Sequence, residues 1–418
     1  MGLEKPAIQI NGLYKIYGAS PVSALDRIRT GPGSETEAGV FVALKNINLT
    51  VETGKICVIM GLSGSGKSTL LRCINRLIDP TAGEIFVRGR EITKANKKEL
   101  RDIRASMIGM VFQHFALLPH MSVIDNVALG LRIAGVPRKA RRERAANALQ
   151  LVGLSGWDNR KPSSLSGGMR QRVGLARALV MDTPILLMDE PFSALDPLIR
   201  EEMQQELLRL QSTLHKTIVF VTHDPNEAAT LGDYIAILLK GEIVQEGHPL
   251  DAVLSPANEY VRNFVRGINV FKVLTAGQLI DAARPAVVLN GSTISSLAMV
   301  RPPSGPIAVT NGGGKLLGMI ERPSELGSSQ AEWERHLSQD FIRLTSTTLI
   351  APFLDELSRN SRPLVVVEDD GTFVGVITAS SVLKALASNR SVVGTHPMPE
   401  IETRPDQVPT GADQQRAG

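Results

Sequence analysis

The sequence predicts an α/β fold with a largely parallel sheet over about the first 266 residues, followed by a smaller α+β region. Three observations carry that expectation. Short β-branched runs alternate with helically patterned stretches from residue 7 to about residue 266, the order that builds a parallel sheet with helices covering it. A glycine-rich loop, GLSGSGKST (residues 61–69), lies between an apolar strand candidate and the helical pattern LLRCINRL. Beyond residue 269 two similar segments recur, each reading as strand, glycine turn, strand.

In chain order, IQINGLYKIYG (8–18) and FVALKNINLTV (41–51) read as strands on either side of residues 19–38, whose glycine, serine, proline and charge mark a surface insertion. KICVIM (55–60), ILLMD (185–189), TIVFVTH (217–223) and YIAILL (234–239) are the strand candidates of the parallel sheet. The first domain is expected over residues 1–267 and a second over residues 268–390. In the second, PIAVTNGGGKLLGMI (306–320) aligns without gaps with PLVVVEDDGTFVGVI (363–377), matching Pro306 with Pro363, Gly314 with Gly371, Gly318 with Gly375 and Ile320 with Ile377. Helical patterns such as LIAPFLDELSRN (349–360) accompany the copies, so each is expected to bury one face against the other. Residues 391–418, with scattered apolar residues and four prolines, read as a disordered tail.

Composition narrows the function. With 418 residues, 43% of them hydrophobic and 21% charged, the chain can build real cores. A net charge of +4 from 46 basic and 42 acidic side chains is too weak a field to argue for nucleic acid as a partner. The longest apolar runs fall far short of the roughly 18 residues of a membrane helix, and the opening MGLEKPAIQI has no signal-peptide core. The expected place is therefore the cytosol, or a membrane surface to which something else holds the protein. Cys57 and Cys73, the only two cysteines, flank the glycine-rich loop in apolar company and read as buried fillers in a reducing compartment. The cationic run RKARRERAANAL (138–149) reads as a solvated helix face, with anionic lipid or an acidic partner as the alternative.

The chemistry concentrates at four places. GLSGSGKST fits G-x-x-x-x-G-K-[ST], after a strand and before a helix as that motif requires, so phosphate is the implied ligand. The amides of Gly64, Ser65, Gly66 and Lys67 would form a nest for the β-phosphate, Lys67 would bridge β and γ oxygens, and the Ser68 hydroxyl would coordinate Mg²⁺. Gly61, Ser63 and Thr69 complete the nucleotide-binding set. ILLMDEPFSALD (185–196) ends a strand in two adjacent carboxylates, which point to opposite faces: Asp189 for the Mg²⁺ shell, Glu190 as general base to the attacking water. The plain alternative is a polar strand end. Gln113 and His223 each follow a strand-like run; near a γ-phosphate an amide ligates Mg²⁺ or positions water, and an imidazole donates to phosphate, although either alone is more often a satisfied polar residue. Tyr17 or Tyr14 could stack on a base.

The fourth place is LSGGMRQRV (165–173). A helix start carries unpartnered amides and about half a positive charge, so it attracts anions, and glycines let a ligand approach the backbone. Ser166 could equally be a simple N-cap of a helix whose Arg170, Arg172 and Arg177 have local uses. The P-loop site lacks a lid, however, and this second glycine-rich helix start has no nucleotide of its own. Together they suggest a γ-phosphate held between two copies.

Taken in order, KIYG, GLSGSGKST, Gln113 after MVF, LSGGMRQRV, MDEPFSALD and VTHD resemble the ATPase of ATP-binding cassette (ABC) transporters, over residues 7–266. The resemblance implies a P-loop ATPase domain with a helical subdomain, ATP and Mg²⁺ as ligands, and a head-to-tail homodimer. In that dimer Ser166, Gly167 and Gly168 of one copy close on the ATP of the other, with Asp196 among the nucleotide contacts. Within the family, VIMGLSGSGKSTLLRCINRLI, MVFQHFALLPHMSVIDNVALG, FSALDPLIR and the long insertion after LYKIYG resemble the ATPase subunits of glycine betaine/proline/choline importers. The C-terminal pair resembles tandem cystathionine β-synthase (CBS) modules. Such modules hold an adenosine ribose with a Thr and a nearby Asp; here Thr378 is kept but Ser381 stands where the Asp falls, and IERPS (320–324) has neither, which argues against adenosine.

The resemblance implies a transport-coupled ATP hydrolase at the cytoplasmic face of the inner membrane, peripheral to integral permease subunits. A periplasmic or lipid-anchored substrate-binding protein is an indirect partner. HFALLPHMSV (114–123) is apolar enough to receive a permease helix. The alternatives are an importer for another small solute, such as an amino acid, and a soluble ABC ATPase of repair or translation. The latter usually carries a second ATPase core or long coiled-coil insertions, and this sequence has neither. The repeat region is expected to regulate, by ionic strength or a signalling nucleotide, or to hold subunits together.

Overall fold

Two sheets and a helical layer make up the N-terminal body of this computed structural model, which describes residues 5–30, 39–113, 116–269, 271, 273–280, 287–290, 293–295, 307–320, 330–359 and 362–383. The chain opens with β1 (Ile8–Tyr17), α1 (Pro21–Thr30), β2 (Phe41–Val51), β3 (Ile56–Met60), α2 (Lys67–Ile74), β4 (Ala82–Val87), β5 (Arg90–Glu91), α3 (Lys97–Met107) and β6 (Ile108–Val111). The helical layer follows as α4 (Val123–Val127), α5 (Leu129–Ile133), α6 (Arg138–Leu151) and α7 (Gly167–Leu179). The body closes with β7 (Ile185–Asp189), α8 (Pro197–Leu214), β8 (Thr217–Thr222), α9 (Pro225–Leu231), β9 (Tyr234–Leu239), β10 (Glu242–Gly247), α10 (Pro249–Leu254) and α11 (Glu259–Val265).

The main sheet runs β10-β9-β3-β8-β7-β6, with β9, β3, β8, β7 and β6 parallel and β10 antiparallel at one edge. The four strand candidates therefore form as expected. Each is mostly apolar and almost wholly buried because both faces are covered. Along β3, Cys57 and Ile59 face a cluster with α2 and the second sheet, while Ile56, Val58 and Met60 face the helical layer. Full burial of each such aliphatic side chain contributes about 1.5–3 kcal/mol. The second sheet, β2-β1-β4-β5, is antiparallel. Of the expected insertion 19–38, residues 21–30 form α1 rather than loop; Ala24 and Leu25 pack on Ile16, giving this helix an apolar face of its own. Residues 31–38 lie outside the described residues.

Cys57 and Cys73 are buried free thiols, each pushed up to about 12 chiefly by burial, so they are inert fillers. The cationic run sits on α6, which buries Ala145, Ala148 and Leu149 and leaves most of its cations at least partly in solvent.

The C-terminal region contains β11 (Val287–Asn290), β12 (Thr293–Ser295), β13 (Ile307–Asn311), β14 (Leu316–Ile320), α12 (Gln330–Arg335), β15 (Ile342–Leu344), α13 (Leu354–Arg359), β16 (Leu364–Val367) and β17 (Phe373–Ile377). The repeat is exact in register. Ile307 pairs with Ile320 and Val309 with Gly318, and 57 residues on Leu364 pairs with Ile377 and Val366 with Gly375. Each hairpin also takes a parallel strand, β11 on β13 and β15 on β16. Ala308 and Met319 of the first copy pack on Val365 and Val376 of the second, and the two turns are bonded together, Leu316 N to Gly371 O at 3.2 Å and Phe373 N to Gly314 O at 3.0 Å. The other face of the second hairpin, through Leu364, Val366 and Ile377, joins the apolar cluster that runs through Val273, Leu274 and Ala276 into the N-terminal body. The tail 391–418 lies outside the described residues.

Candidate functional site

Neighbouring parallel strands bring four loops together. In the order β3-β8-β7-β6 the C-terminal ends carry, in turn, the loop 61–69, His223, the Asp189–Glu190 pair and Gln113. Ends of adjacent parallel strands are where α/β folds build sites. Gly66 caps α2 with φ +107°, and a Cβ there would stand 2.5 Å from Ala43 O, so only glycine lets the loop pass beneath β2. Lys67 is buried; its Nζ donates to Gly61 O at 2.9 Å and Leu62 O at 3.0 Å, closing the loop into a ring. Burial pulls this ammonium below its usual value, and the Glu190 and Asp189 carboxylates oppose that pull. The Ser65 hydroxyl is buried with no hydrogen-bond partner among the described residues.

The paired carboxylates take the two directions expected of them. Asp189, the last residue of β7, accepts from Ser68 Oγ at 2.7 Å and Arg72 at 3.2 Å. Glu190 accepts from Gln113 Nε2 at 3.3 Å and meets His223 Nδ1 at 3.0 Å. Its backbone sits at φ +43°, a costly conformation for a non-glycine residue, held by a bond from its own N–H to Val221 O at 3.1 Å. The hydroxyl and carboxylate oxygens of Ser68 and Asp189, with the Gln113 amide on the neighbouring strand end, are hard oxygen donors of the kind a Mg²⁺ ion takes.

The remaining expected residues lie elsewhere. Tyr17 pairs across the strands with Phe41, ring centroids 6.4 Å apart, and Lys15 Nζ lies 4.8 Å from the Tyr17 ring. Phe41 is two residues from Ala43, whose carbonyl faces Gly66 of the loop, and the Tyr17 ring is exposed. Tyr14 instead lies under Arg29 against α1, which removes it as a platform. Ser166 caps α7, accepting from Met169 N at 3.3 Å. Gly168 presses on the next helix, where an added Cβ would stand 2.5 Å from Ile199 Cγ2. Asp196 caps that helix, α8, accepting from Ile199 N at 3.1 Å. The starts of α7 and α8 thus form one continuous surface. The three arginines after Ser166 reach carbonyls: Arg170 to Leu165, Arg172 to Val152 and Arg177 to Ala116. These bonds brace the helix.

Comparison with known proteins fits this arrangement. Residues 44–193 match the ABC transporter family. Over 91% of this chain and 97% of the relative, the sequence is 43% identical to the glycine betaine/proline betaine transport system ATP-binding protein ProV of Salmonella typhimurium. The chain belongs to the ABC transporter ATP-binding proteins. Members of this family are ATPases coupled to transport and bind ATP. The ABC protein is also 40% identical, over 93% of its length and 95% of the relative, to the glycine betaine transport ATP-binding protein OpuAA of Bacillus subtilis. Among solved structures, a dimeric ATP-binding cassette in a post-hydrolysis state with ADP and Pi matches with TM-score 0.50 and 36% identity, covering 58% of this chain and 98% of the other. No helix among the described residues is long and apolar enough to cross a membrane.

Sequence reading missed several partners of the site. The Ser193 hydroxyl lies 3.5 Å from Gln113 Nε2, and Arg72 braces Asp189. Arg200, Asn226 and Glu227 stand within or just after recognisable motifs, yet the sequence assigns them no role. Their only sequence signal is a polar or charged side chain beside a motif, which a solvated surface also gives.

Proposed function

We propose that this ABC protein is the ATP-hydrolysing subunit of an importer for quaternary-ammonium osmoprotectants such as glycine betaine, proline betaine and choline. The observation that carries the cargo class is the 43% identity to a glycine betaine/proline betaine ATP-binding protein over nearly the whole of both chains, C-terminal region included. The chain works as a homodimer with integral permease subunits, peripheral at the cytoplasmic face of the inner membrane, and a periplasmic or lipid-anchored binding protein delivers the cargo.

In this reading the loop amides and Lys67 hold the β- and γ-phosphates, with Tyr17 against the base. Ser68, Asp189 and Gln113 would hold Mg²⁺, which would neutralise developing phosphate charge. Glu190 accepts a proton from the water that attacks the γ-phosphorus in line, and its bonds to Gln113 and His223 fix the carboxylate for that transfer. His223 offers its second nitrogen to a γ-phosphate oxygen. The surface made by Ser166, Gly167, Gly168 and Asp196 closes on the partner's nucleotide. Closure and reopening drive the permease, which docks a helix on the stretch after Gln113. In that stretch Arg177 holds Ala116 O at 2.6 Å and Asn126 holds the backbone of Leu118 at 2.7 Å; residues 114 and 115 lie outside the described residues.

The two domains are taken as residues 1–267 and 268–390, the second a tandem CBS-like regulator. The hydroxyls of Thr378 and Ser381 are each bonded to the other's backbone N–H, at 3.1 and 3.0 Å, capping the turn. That favours ionic strength over a nucleotide as the signal. The test is ATP-dependent uptake by the assembled transporter in liposomes, comparing glycine betaine, choline and proline with other amino acids. Uptake of amino acids other than proline alone would replace the cargo reading, and ATP hydrolysis with no uptake of any solute would favour a soluble ATPase.

A further inference from the structure

An ion network, buried at Glu227 and partly exposed at Arg200 and Asp224, lies beside the site but takes no part in the hydrolytic chemistry assigned to Glu190 and its neighbours. Glu227 on α9 is 4% exposed. Its Oε2 accepts from Thr222 Oγ1 and its Oε1 from Gln204 Nε2 at 3.5 Å. The Thr222 hydroxyl also accepts from Asp224 N at 3.0 Å, so the residues on both sides of His223 are tied to this carboxylate. Arg200, in the first turn of α8, faces it: Nη1 lies 3.4 Å from Asp224 Oδ2, Nε 3.9 Å from Glu227 Oε1, and Nη2 donates to Leu195 O at 3.2 Å. Leu195 precedes Asp196, and Ile199 carries the start of α7 through its contact with Gly168.

A buried carboxylate facing a half-buried guanidinium is a poor way to fill a core, because apolar side chains of the same volume are often as stable or more so. Burial does push the Glu227 carboxyl above its usual range. The His223 side chain is itself about half exposed and bonds Glu190. What the network does achieve is geometric. One guanidinium donates to the carbonyl before Asp196 and to Asp224, and its buried Nε, which has no hydrogen-bond partner among the described residues, faces Glu227 at ion-pair distance.

We propose that Arg200 and Glu227 are positioning residues for ATP hydrolysis, clamping the turn that carries Asp196 to the segment that carries His223. Loss of the clamp lets His223 and the start of α8 drift from their working positions without disturbing the loop that binds ATP. The proposal rests on the hydrolytic roles of His223 and Asp196 but not on the cargo, and hydrolysis is read directly, so failure of the cargo reading leaves the test intact.

The test is steady-state ATP hydrolysis by the full chain, with nucleotide binding followed by a fluorescent ATP analogue and folding by thermal melting. Arg200→Met is expected to lower kcat between about 10- and 100-fold, with KM within about twofold. Glu227→Gln keeps partners for Thr222 and Gln204 but loses the charge facing Arg200, and lowers kcat less. The double variant is no slower than Arg200→Met, as two members of one clamp require. Arg200→Lys restores part of the rate by keeping the charge. An unchanged kcat in Arg200→Met overturns the proposal, as do multiplicative losses in the double variant. Parallel loss of melting temperature and nucleotide binding in every variant, the conservative ones included, also overturns it, because the network then only holds the fold.

Discussion

The N-terminal body and the C-terminal repeat unit solve opposite problems with similar strands. In the body, four unlike loops meet because the strands carrying them are parallel neighbours: Ser68 ends up bonded to Asp189, and Gln113 and His223 to Glu190. In the repeat unit, two like hairpins meet through copied apolar faces and bonded turns, and polar groups such as Thr378 and Ser381 are spent on their own turns. Convergence of unlike ends makes chemistry possible. Pairing of like units makes a body whose halves share one apolar face, the second half alone packing its other face into the cluster of the N-terminal body.

The sharpest way to break this contrast is to strip the chemistry from one region. Glu190→Gln keeps the bonds to Gln113 and His223 possible but removes the proposed proton acceptor. It is expected to slow hydrolysis by at least about 10²-fold, leave ATP binding intact and accumulate an ATP-bound dimer by size-exclusion chromatography. Wild-type turnover would take Glu190 out of the mechanism. Ser166→Arg sets a long side chain on the surface shared by α7 and α8. Hydrolysis is expected to fall on the order of 10²-fold, a loss of alignment rather than of chemistry, with ATP affinity of the monomer unchanged. Full hydrolysis by the isolated variant monomer would end the idea that the nucleotide is shared between copies.

Much of the body is legible in the sequence because its signals are local. The strands at 56–60, 185–189, 217–222 and 234–239 announce themselves by unbroken apolar runs, and the loop 61–69 by glycines that Gly66 shows to be sterically required. Gln113 and His223 are legible only as residues after strands, since their meeting with Glu190 depends on strand order, which no local pattern encodes. The helix at 21–30 is hidden by polar, proline-containing sequence whose apolar face, Ala24 and Leu25, is narrow. The repeat is readable at an offset of 57 residues. Its attachment to the body through Val273, Leu274 and Ala276 is not, because short apolar stretches do not name their partners.

Removing the second region tests the contrast from the other side. A chain ending at Gly267 keeps every residue of the site and is expected to hydrolyse ATP and support uptake with its permease. The exposed edge of the shared apolar cluster should lower its melting temperature. Regulation at the usual coupling of about 1–3 kcal/mol corresponds to about a 5- to 150-fold response, and most of the salt dependence of uptake should vanish. A truncated complex with the full salt response would remove the sensor role; failure to assemble would favour a structural one.

The smallest effect is expected where the regions are joined by a single side chain. Asn226, on α9 between Asp224 and Glu227, donates from Nδ2 to Gly267 O at 3.1 Å and accepts from Asn269 N at 2.9 Å. The helix that begins just after His223 therefore also holds the chain where it leaves the body. Each of these bonds is worth about 0.5–1.5 kcal/mol net, enough to shift a regulatory equilibrium and too little to disturb the site. Asn226→Ala loses both, while the backbone bond from residue 226 to Asp224 Oδ1, at 2.8 Å, survives the change. At saturating ATP its kcat at low salt should stay within about twofold of wild type, and the rise in uptake with salt should become shallower. Asn226→Asp keeps an acceptor for Asn269 N but has no donor for Gly267 O, so its salt response should lie between those of wild type and Asn226→Ala. If both variants respond to salt as wild type does, the signal reaches the ATPase by a route other than α9.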